Sequence, residues 1–440
     1  MTDVFSPTAP DVTGDVEDVF APTSILIPTE SCDLTRWAVI AADQFTSDLD
    51  YWRRVDDFVG DAPSTLRMIV PEAFLQVDSD TTIRERTASA VAAMDEYRQS
   101  SLRALPRGVM VVERDTAFVT QRRSLLCALD LDAYDFTDTG SEVRASEATV
   151  LERIPARQAV RREAPLELPH AQVLFDDPDN TVMAILDAVT TTTPLYDTEL
   201  MFSGGRVRGW HIADDQPEWI RVRHALSCLD TSRGFRFIVG DGNHSLAAAK
   251  QHWEALRASG APDSHPARWA MVELLNVHSP ALRVEPIHRW IDGLSSDLLL
   301  QAIDEHFHRH PRASRHTVEL ISGSEDARST VAEHISVEVA VDGVLVLDTV
   351  QPIIDRLIAE HGLPAQACEY VHGRDELNRL ARTRRGVGVA LPAVERSSLF
   401  DYVAQRGTMP RKAFSLGDAT EKRYYLECRA IREDGGTARS

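Results

Sequence analysis

Asp241, Gly242, Asn243, His244 and Ser245 are the run in which residue types and spacing point most directly to chemistry. An apolar stretch at 234–240 (Phe235, Phe237, Ile238, Val239) predicts a strand before it, and the pattern over 246–257 predicts a helix after it. Gly240 and Gly242 permit a tight turn and let a ligand approach the main chain closely. The first turn of the following helix offers free N–H groups and the positive end of its dipole, a seat for phosphate. Asp241, ending a strand inside that turn, has the chemistry of a metal ligand or a general base. The plain alternative is a capped turn, because Asp, Asn and Ser favour turns and N-caps. Neither a Walker A sequence nor a GxGxxG fingerprint is present.

A second candidate lies upstream. Arg144, Arg153, Arg157, Arg161 and Arg162 cluster in a short stretch, and guanidinium groups suit bidentate phosphate contacts. The alternative is a solvated helix face on which they pair with Glu142, Glu147, Glu152 and Glu163. Glu147, if buried among arginines, would stay ionised and serve as a base. The acidic turn Asp176-Asp177-Pro178-Asp179 has carboxylates for Mg²⁺ but also the composition of an ordinary loop. His306 and His310 share a helix face without an evident third ligand. The five cysteines lack basic neighbours or CxxC spacing, and no serine sits in a GxSxG elbow.

The elements that must position these groups read as alternating strands and helices. Period-four apolar residues (Ile83, Thr87, Val91, Met94, Tyr97) predict a helix over 80–100. Runs at 108–113, 117–121 and 124–129 predict a three-stranded antiparallel meander. Strands are also expected at 24–28, 37–42, with the polar Asp43-Gln44-Phe45-Thr46 after it, and 171–175. Strand, turn, helix and the strand at 269–277 together predict a βαβ unit with parallel pairing. Beyond Trp290, helices are expected at 297–308, 351–361 and 375–382. Strands are expected at 317–321, 337–341, 344–347 and 423–429, with Asp342-Gly343 as a hairpin turn.

The chain has 440 residues, 43% hydrophobic and 26% charged, which predicts a globular α/β protein of two or three domains. The expected division is a loose leader at 1–20, an N-terminal α/β region at 21–139, a catalytic core at 140–292 and a C-terminal α+β region at 293–440. A net charge of −21 disfavours nucleic acid and anionic membrane as partners. With no apolar run long enough to span a bilayer and no signal-like start, the cytoplasm is the expected location. Only Lys250, Lys412 and Lys422 are lysines; the remaining cations are arginine. Lys412 therefore reads either as a position where an ammonium is needed or, more simply, as chance.

Four of these segments together resemble domain-of-unknown-function family 1015. Asp241-Gly242-Asn243-His244-Ser245 resembles its Asp-Gly-His-His-Arg signature, and Arg144-Ala145-Ser146-Glu147-Ala148-Thr149 its His-Glu-x-Thr element. Pro286-Ile287-His288-Arg289 resembles its Pro-x-His-Arg segment, and Met409-Pro410-Arg411-Lys412 its late Met-Pro-Gln-Lys motif. The matches keep the family's order, and segments 22–28 and 37–46 extend the likeness over most of the chain. Asn243 stands where the family has His, and Ser245 where it has Arg, which removes a phosphate contact; Arg153, Arg157 or Lys412 would have to compensate.

The family is similar to the ParB/sulfiredoxin-like superfamily, which includes kinases acting on free serine. The resemblance implies a ParB/sulfiredoxin-like core and a small-molecule phosphotransferase using Mg²⁺ with ATP or ADP and a hydroxyl acceptor, free L-serine first. It makes Glu147 the base and Asp241 the residue that positions metal or substrate. Gly240, Gly242, Asn243, His244, Ser245, Arg144, Arg153, Arg157 and Lys412 become nucleotide or phosphate contacts. Thr149, His288 and Arg289 become substrate contacts. The competing expectations are a nucleotide-binding regulator without activity and a ParB-like DNA-associated protein. Oligomeric state is left open.

Overall fold

Buried apolar runs near 110 and 126 form the spine of the larger sheet. The computed structural model describes residues 19–432 other than 47, 76, 138–139, 150–153, 312, 323–331 and 342–343, and leaves aside the side chains of 154–157, 159 and 365. The chain divides into two units of mixed α/β structure: one of residues up to 282 with those from 419 onward, the other of 283–418.

In the first unit the sheet strands are β1 (Phe20–Ala21), β2 (Gly108–Asp115), β3 (Arg122–Asp130), β4 (Tyr134–Asp135), β5 (Val143–Ala145), β6 (Gln172–Phe175), β7 (Tyr196–Leu200), β8 (Gly205–Ala213), β9 (Phe237–Asp241) and β10 (Trp269–Asn276). Their order is β7-β8-β2-β3-β10-β6-β9-β5-β4, with β1 paired to β3. Every residue of β6 and β10 is buried, the pattern of central strands covered on both faces. Helices α1 (Asp80–Ser100), α2 (Ile154–Glu163) and α3 (Asn243–Ala258) belong to this unit, and α3 buries Leu246, Ala249 and Trp253 against the sheet core.

The C-terminal segment returns to this unit. Tyr424 pairs with Ile40 and Arg429 with Glu167 in two short antiparallel ladders. Arg429 is buried and donates to Glu167 (2.8 Å), to the Pro266 carbonyl (3.0 Å) and to the Trp269 carbonyl.

The second unit has a six-stranded sheet of β11 (Val284–Asp292), β12 (Ser314–Ser322), β13 (Glu333–Val341), β14 (Cys368–His372), β15 (Gly386–Ala390) and β16 (Phe414–Leu416), in the order β13-β12-β15-β11-β14 with β16 on β11. Helix α4 (Val346–Glu360) belongs to it.

Several sequence expectations change here. The helix over 80–100 stands as read, but 117–121 is the turn of a β2–β3 hairpin. Thr116 and Asp115 side chains accept the N–H groups of Phe118, Val119 and Gln121, which closes the loop. Residues 344–347 are not a strand: the Asp348 carboxylate accepts from the N–H groups of Val344 and Leu345 and starts α4. Trp37 ends a one-turn helix (Leu34–Trp37), leaving Val39–Ile40 as the strand, and 423–429 holds two two-residue strands instead of one. The parallel βαβ unit does not form. Strand β6 inserts between β9 and β10, antiparallel to β9 and parallel to β10, so those two strands run in opposite directions. The Asp342-Gly343 hairpin lies outside the described residues, as does the leader up to residue 18; Val19 and Phe20 are buried.

Replacing Arg429 by Met leaves the buried Glu167 without one of its two guanidinium partners. Equilibrium urea unfolding of the variant is expected to show a loss of about 3 kcal/mol or more, the cost of an uncompensated buried charge; a change under about 0.5 kcal/mol would contradict this.

Candidate functional site

Strand β9 ends at Asp241, and the chain turns at Gly242 directly into α3. Gly242 has φ +79°, and a Cβ on it would stand 2.8 Å from the Ala171 Cα, so conformation and space both call for glycine. Its N–H donates to Asp241 Oδ1 (3.0 Å), while Asp241 Oδ2 accepts from Lys422 Nζ at 2.9 Å. Helix α3 has no side-chain cap, so its first N–H groups face outward from the turn without one. Asn243, at its first position, is buried; its Nδ2 reaches the Val239 carbonyl at 3.5 Å and its Oδ1 finds no protein partner.

Glu147 follows the end of β5, the strand that pairs with β9. The two strands are parallel with Ala145 opposite Val239 as the last recorded pair, and Glu147 and Asp241 each come two residues later in the chain. Between Ala145 and Glu147, the fully buried Ser146 donates its hydroxyl to the Val239 carbonyl and ties the two strand ends together. Thr149 follows, its Oγ1 buried and without a partner among the described residues.

Residues that the sequence did not single out complete the surroundings. His170 precedes Ala171, on which Gly242 packs; its Nδ1 is 2.9 Å from Tyr425 Oη and its Nε2 3.9 Å from Asp43 Oδ2. Tyr425 Oη also accepts from the Ala42 N–H (3.1 Å). Beneath the turn, Gln172 of β6 lies opposite both Asp241 and Glu273, and its Nε2 donates to Glu273 (2.9 Å). Ser124 donates to the same buried carboxylate, and Arg423 sits 3.4 Å from it. Arg423 also pairs with Glu427, which accepts from Tyr196. Glu273, Arg423, Glu427 and Tyr196 line a cavity of about 10 Å³, the size of one water, together with Arg114 and Arg122. Burial, then the neighbouring Arg122, pulls Arg114 down to about 9, which leaves it charged at neutral pH.

The remaining candidate residues lie elsewhere. Arg144 stacks over Phe235 and donates to the carbonyls of Ser141 and Gly234, at the opposite end of β9 from Asp241. Arg153 is outside the described residues, and Arg157 belongs to α2. Gly240, His244 and Ser245 are half-buried in the turn. His288, Arg289 and Lys412 belong to the second unit. Arg289 is fully buried and donates to Gln351 and to the Ile287 and Arg411 carbonyls. The His288 Nδ1 accepts from the Leu391 N–H, and burial, then Arg374 and Arg289, holds the imidazole down at about 4. Lys412 is exposed, at φ +55°. The lysine that meets Asp241 is thus Lys422; the signal for it was the same scarcity of lysine that drew attention to Lys412.

No group of three His, Cys, Asp or Glu side chains fit to hold a metal occurs among the described residues. Asp241 and the unpartnered Asn243 Oδ1 are hard oxygen donors, too few for a protein cage but sufficient for a Mg²⁺ that arrives on phosphates. No described helix is long and apolar enough to cross a membrane.

A family model described as protein of unknown function, DUF1015, matches residues 25–355, three quarters of the chain. The chain belongs to this family. No curated protein matches its sequence. Among solved structures it is similar to a free serine kinase in complex with AMP (10% identity, 70% of this chain and 91% of that one, TM-score 0.36). It is also similar to a C-terminally truncated SbnI from Staphylococcus aureus (10%, 68% and 85%, 0.32). A conserved hypothetical protein from Pyrococcus furiosus gives 9%, 70% and 95%, with 0.32.

Two outcomes are expected for this DUF1015 chain. Gly242→Ala should lower stability by about 2 kcal/mol in urea titration, from left-handed strain and the Ala171 contact; an unchanged midpoint would refute the requirement. Burial alone would raise the Glu273 carboxyl, but Arg423, Arg122, Gln172 and Ser124 outweigh it and hold it at about 2 against 4.5. A carboxylate depressed in this way contributes stability above pH 4.5 that is lost as pH falls towards 2. Unfolding free energy measured against pH should fall through that window, and with a shallower slope in Glu273→Gln.

Proposed function

We propose that this chain is a small-molecule phosphotransferase that moves a phosphoryl group from ATP or ADP, with Mg²⁺, to the hydroxyl of L-serine or a similar metabolite. The observation that carries this reading is the glycine turn at the end of β9. It gathers a carboxylate, an ammonium and uncapped helix N–H groups, and the neighbouring parallel strand leads two residues on to a second carboxylate, Glu147. Phosphoryl transfer asks a protein for little covalent chemistry; it needs positioning and charge neutralisation, which this set of groups supplies.

In the proposed reaction Glu147 accepts the proton of the acceptor hydroxyl as its oxygen bonds to the terminal phosphorus. The bond from that phosphorus to the bridging oxygen breaks, and the nucleotide leaves one phosphate shorter. The N–H groups of Asn243, His244 and Ser245 hold phosphate oxygens. Asp241 and Asn243 Oδ1 would hold Mg²⁺, which neutralises charge on the phosphates. Thr149 Oγ1 is available to the acceptor, since no described residue partners it. His288 and Arg289, whose polar atoms are bonded inside the second unit, receive no ligand contact in this scheme. The ParB/sulfiredoxin-like description of the core stays part of this proposal.

The test is ³¹P NMR of the protein with Mg²⁺, ATP or ADP, and L-serine. A phosphomonoester resonance is expected from the wild type, with rates about 10²- to 10⁴-fold lower in Glu147→Gln and a comparable loss in Asp241→Asn. Absence of product with serine and with a broad panel of hydroxyl acceptors would overturn the reading.

A further inference from the structure

For three of the buried arginines the rule is satisfaction by main-chain carbonyls. Arg114 donates to Thr420 (2.8 Å), Glu421 (3.1 Å), Lys422 and Gly204 (2.8 Å). Arg289 and Arg429 likewise combine a side-chain acceptor with carbonyls. Lys422 departs from the rule. It is 4% exposed, yet its ammonium has a single partner, Asp241 Oδ2. An ammonium carries three donors, so two of them are left for something the described residues do not supply. A buried donor left that way is costly.

The chain holds this lysine in place with care. Arg114 clamps the carbonyls of three consecutive residues ending at Lys422, and Arg122 donates to the middle one at 3.0 Å. Tyr424 and Tyr425, just beyond, are locked in a ladder with Ile40 and Val39. The starting point of the side chain is fixed on both sides. Directly after this carboxylate in the chain come the uncapped α3 N–H groups and the buried Asn243 Oδ1, which has no partner among the described residues. An ammonium, helix N–H groups and oxygen ligands for a cation are thus tied to one turn, a pattern that suits an anion with several oxygens accompanied by a cation. A guanidinium would suit it poorly, because it would pair bidentately with Asp241 and lock there, whereas an ammonium is a compact charge with donors to spare. In a chain that otherwise writes its cations almost entirely as arginine, lysine stands at this position.

We propose that Lys422 is the phosphate-binding cation of the turn. Without ligand, Asp241 neutralises it; when a nucleoside di- or triphosphate arrives, its two open donors take phosphate oxygens. The ligand class rests on the phosphotransferase reading, but the assignment is read by binding alone.

The experiment is calorimetric titration of pyrophosphate, ADP and ATP, with and without Mg²⁺, into the wild type, Lys422→Met, Lys422→Arg and Asp241→Asn. Unfolding of each protein is followed in parallel. Lys422→Met and Lys422→Arg are expected to weaken binding about 10- to 100-fold, as for a lost charged hydrogen bond. In the absence of Mg²⁺, Asp241→Asn keeps the lysine, removes its competitor and is expected to bind pyrophosphate at least as tightly as the wild type. Equal affinities in wild type and both lysine variants would overturn the assignment, as would pyrophosphate binding lost in Asp241→Asn or a folded wild type that binds none of the three. Binding that depends on Lys422 without phosphoryl transfer to any acceptor would sustain the assignment and remove the kinase reading alone.

Discussion

The first unit depends on a buried guanidinium. Arg114 lies on β2, in the middle of the larger sheet, and its donors close on the carbonyls of Gly204 and of residues 420–422. A charge taken out of water is costly unless it is paired or hydrogen-bonded, and here the acceptors are main-chain carbonyls 90 residues away at Gly204 and 306 to 308 residues away at 420–422. The same bonds that stabilise Arg114 therefore decide where the C-terminal segment runs. Arg423 follows at once and enters a second buried set with Glu273, Glu427 and Tyr196, so two neighbouring cations of one short segment are answered by opposite charges in the sheet. Lys422 lies between those two anchors, and its reach to Asp241 is a consequence of them.

What was legible in the sequence was what is local. The helix of 80–100 is set by its own periodicity and by Ser79 capping its first turn, and it begins and ends where the pattern does. The residues 117–121 misled because Val119 and Phe118 have strand propensity, while the loop is decided by hydrogen bonds from Asp115 and Thr116 that a propensity reading does not count. The expected βαβ unit failed for a different reason. Its two strands and helix were read correctly as elements, but β6, from a segment some sixty residues earlier, takes the place between β9 and β10. Pairing order in a sheet is a property of the whole chain, and no window of sequence contains it.

The candidate site divides the same way. The turn at Asp241 announced itself through glycine, a strand before it and a helix after it, all contiguous. Lys422 is 181 residues from the carboxylate it meets; Tyr425 comes with it, and His170 and Asp43 come from two further segments. The scarcity of lysine was a sound clue with three places to apply it. Lys250 answers Asp132 and Glu254, Lys412 is exposed in the second unit, and Lys422 is the one turned inward to the site. Their partners distinguish them, and the partners follow from the fold.

The overall charge of −21 sets a condition on any anionic ligand. At physiological ionic strength a surface field decays within about 8 Å, so distant carboxylates repel a long polyanion at every point of approach but affect a small one chiefly at the site. The cations that matter here are inside. Arg114, Arg122, Arg423 and Lys422 are all about 5% exposed or less, where the lower effective dielectric strengthens their action at short range and where mobile ions screen them least. An acidic exterior with its cations held inside suits a compact anion carrying its own cation better than an extended duplex, which needs a broad basic surface and releases its counterions there. That asymmetry is the physical reason to read the turn at Asp241 as a seat for a metal–nucleotide and not as part of a nucleic-acid interface.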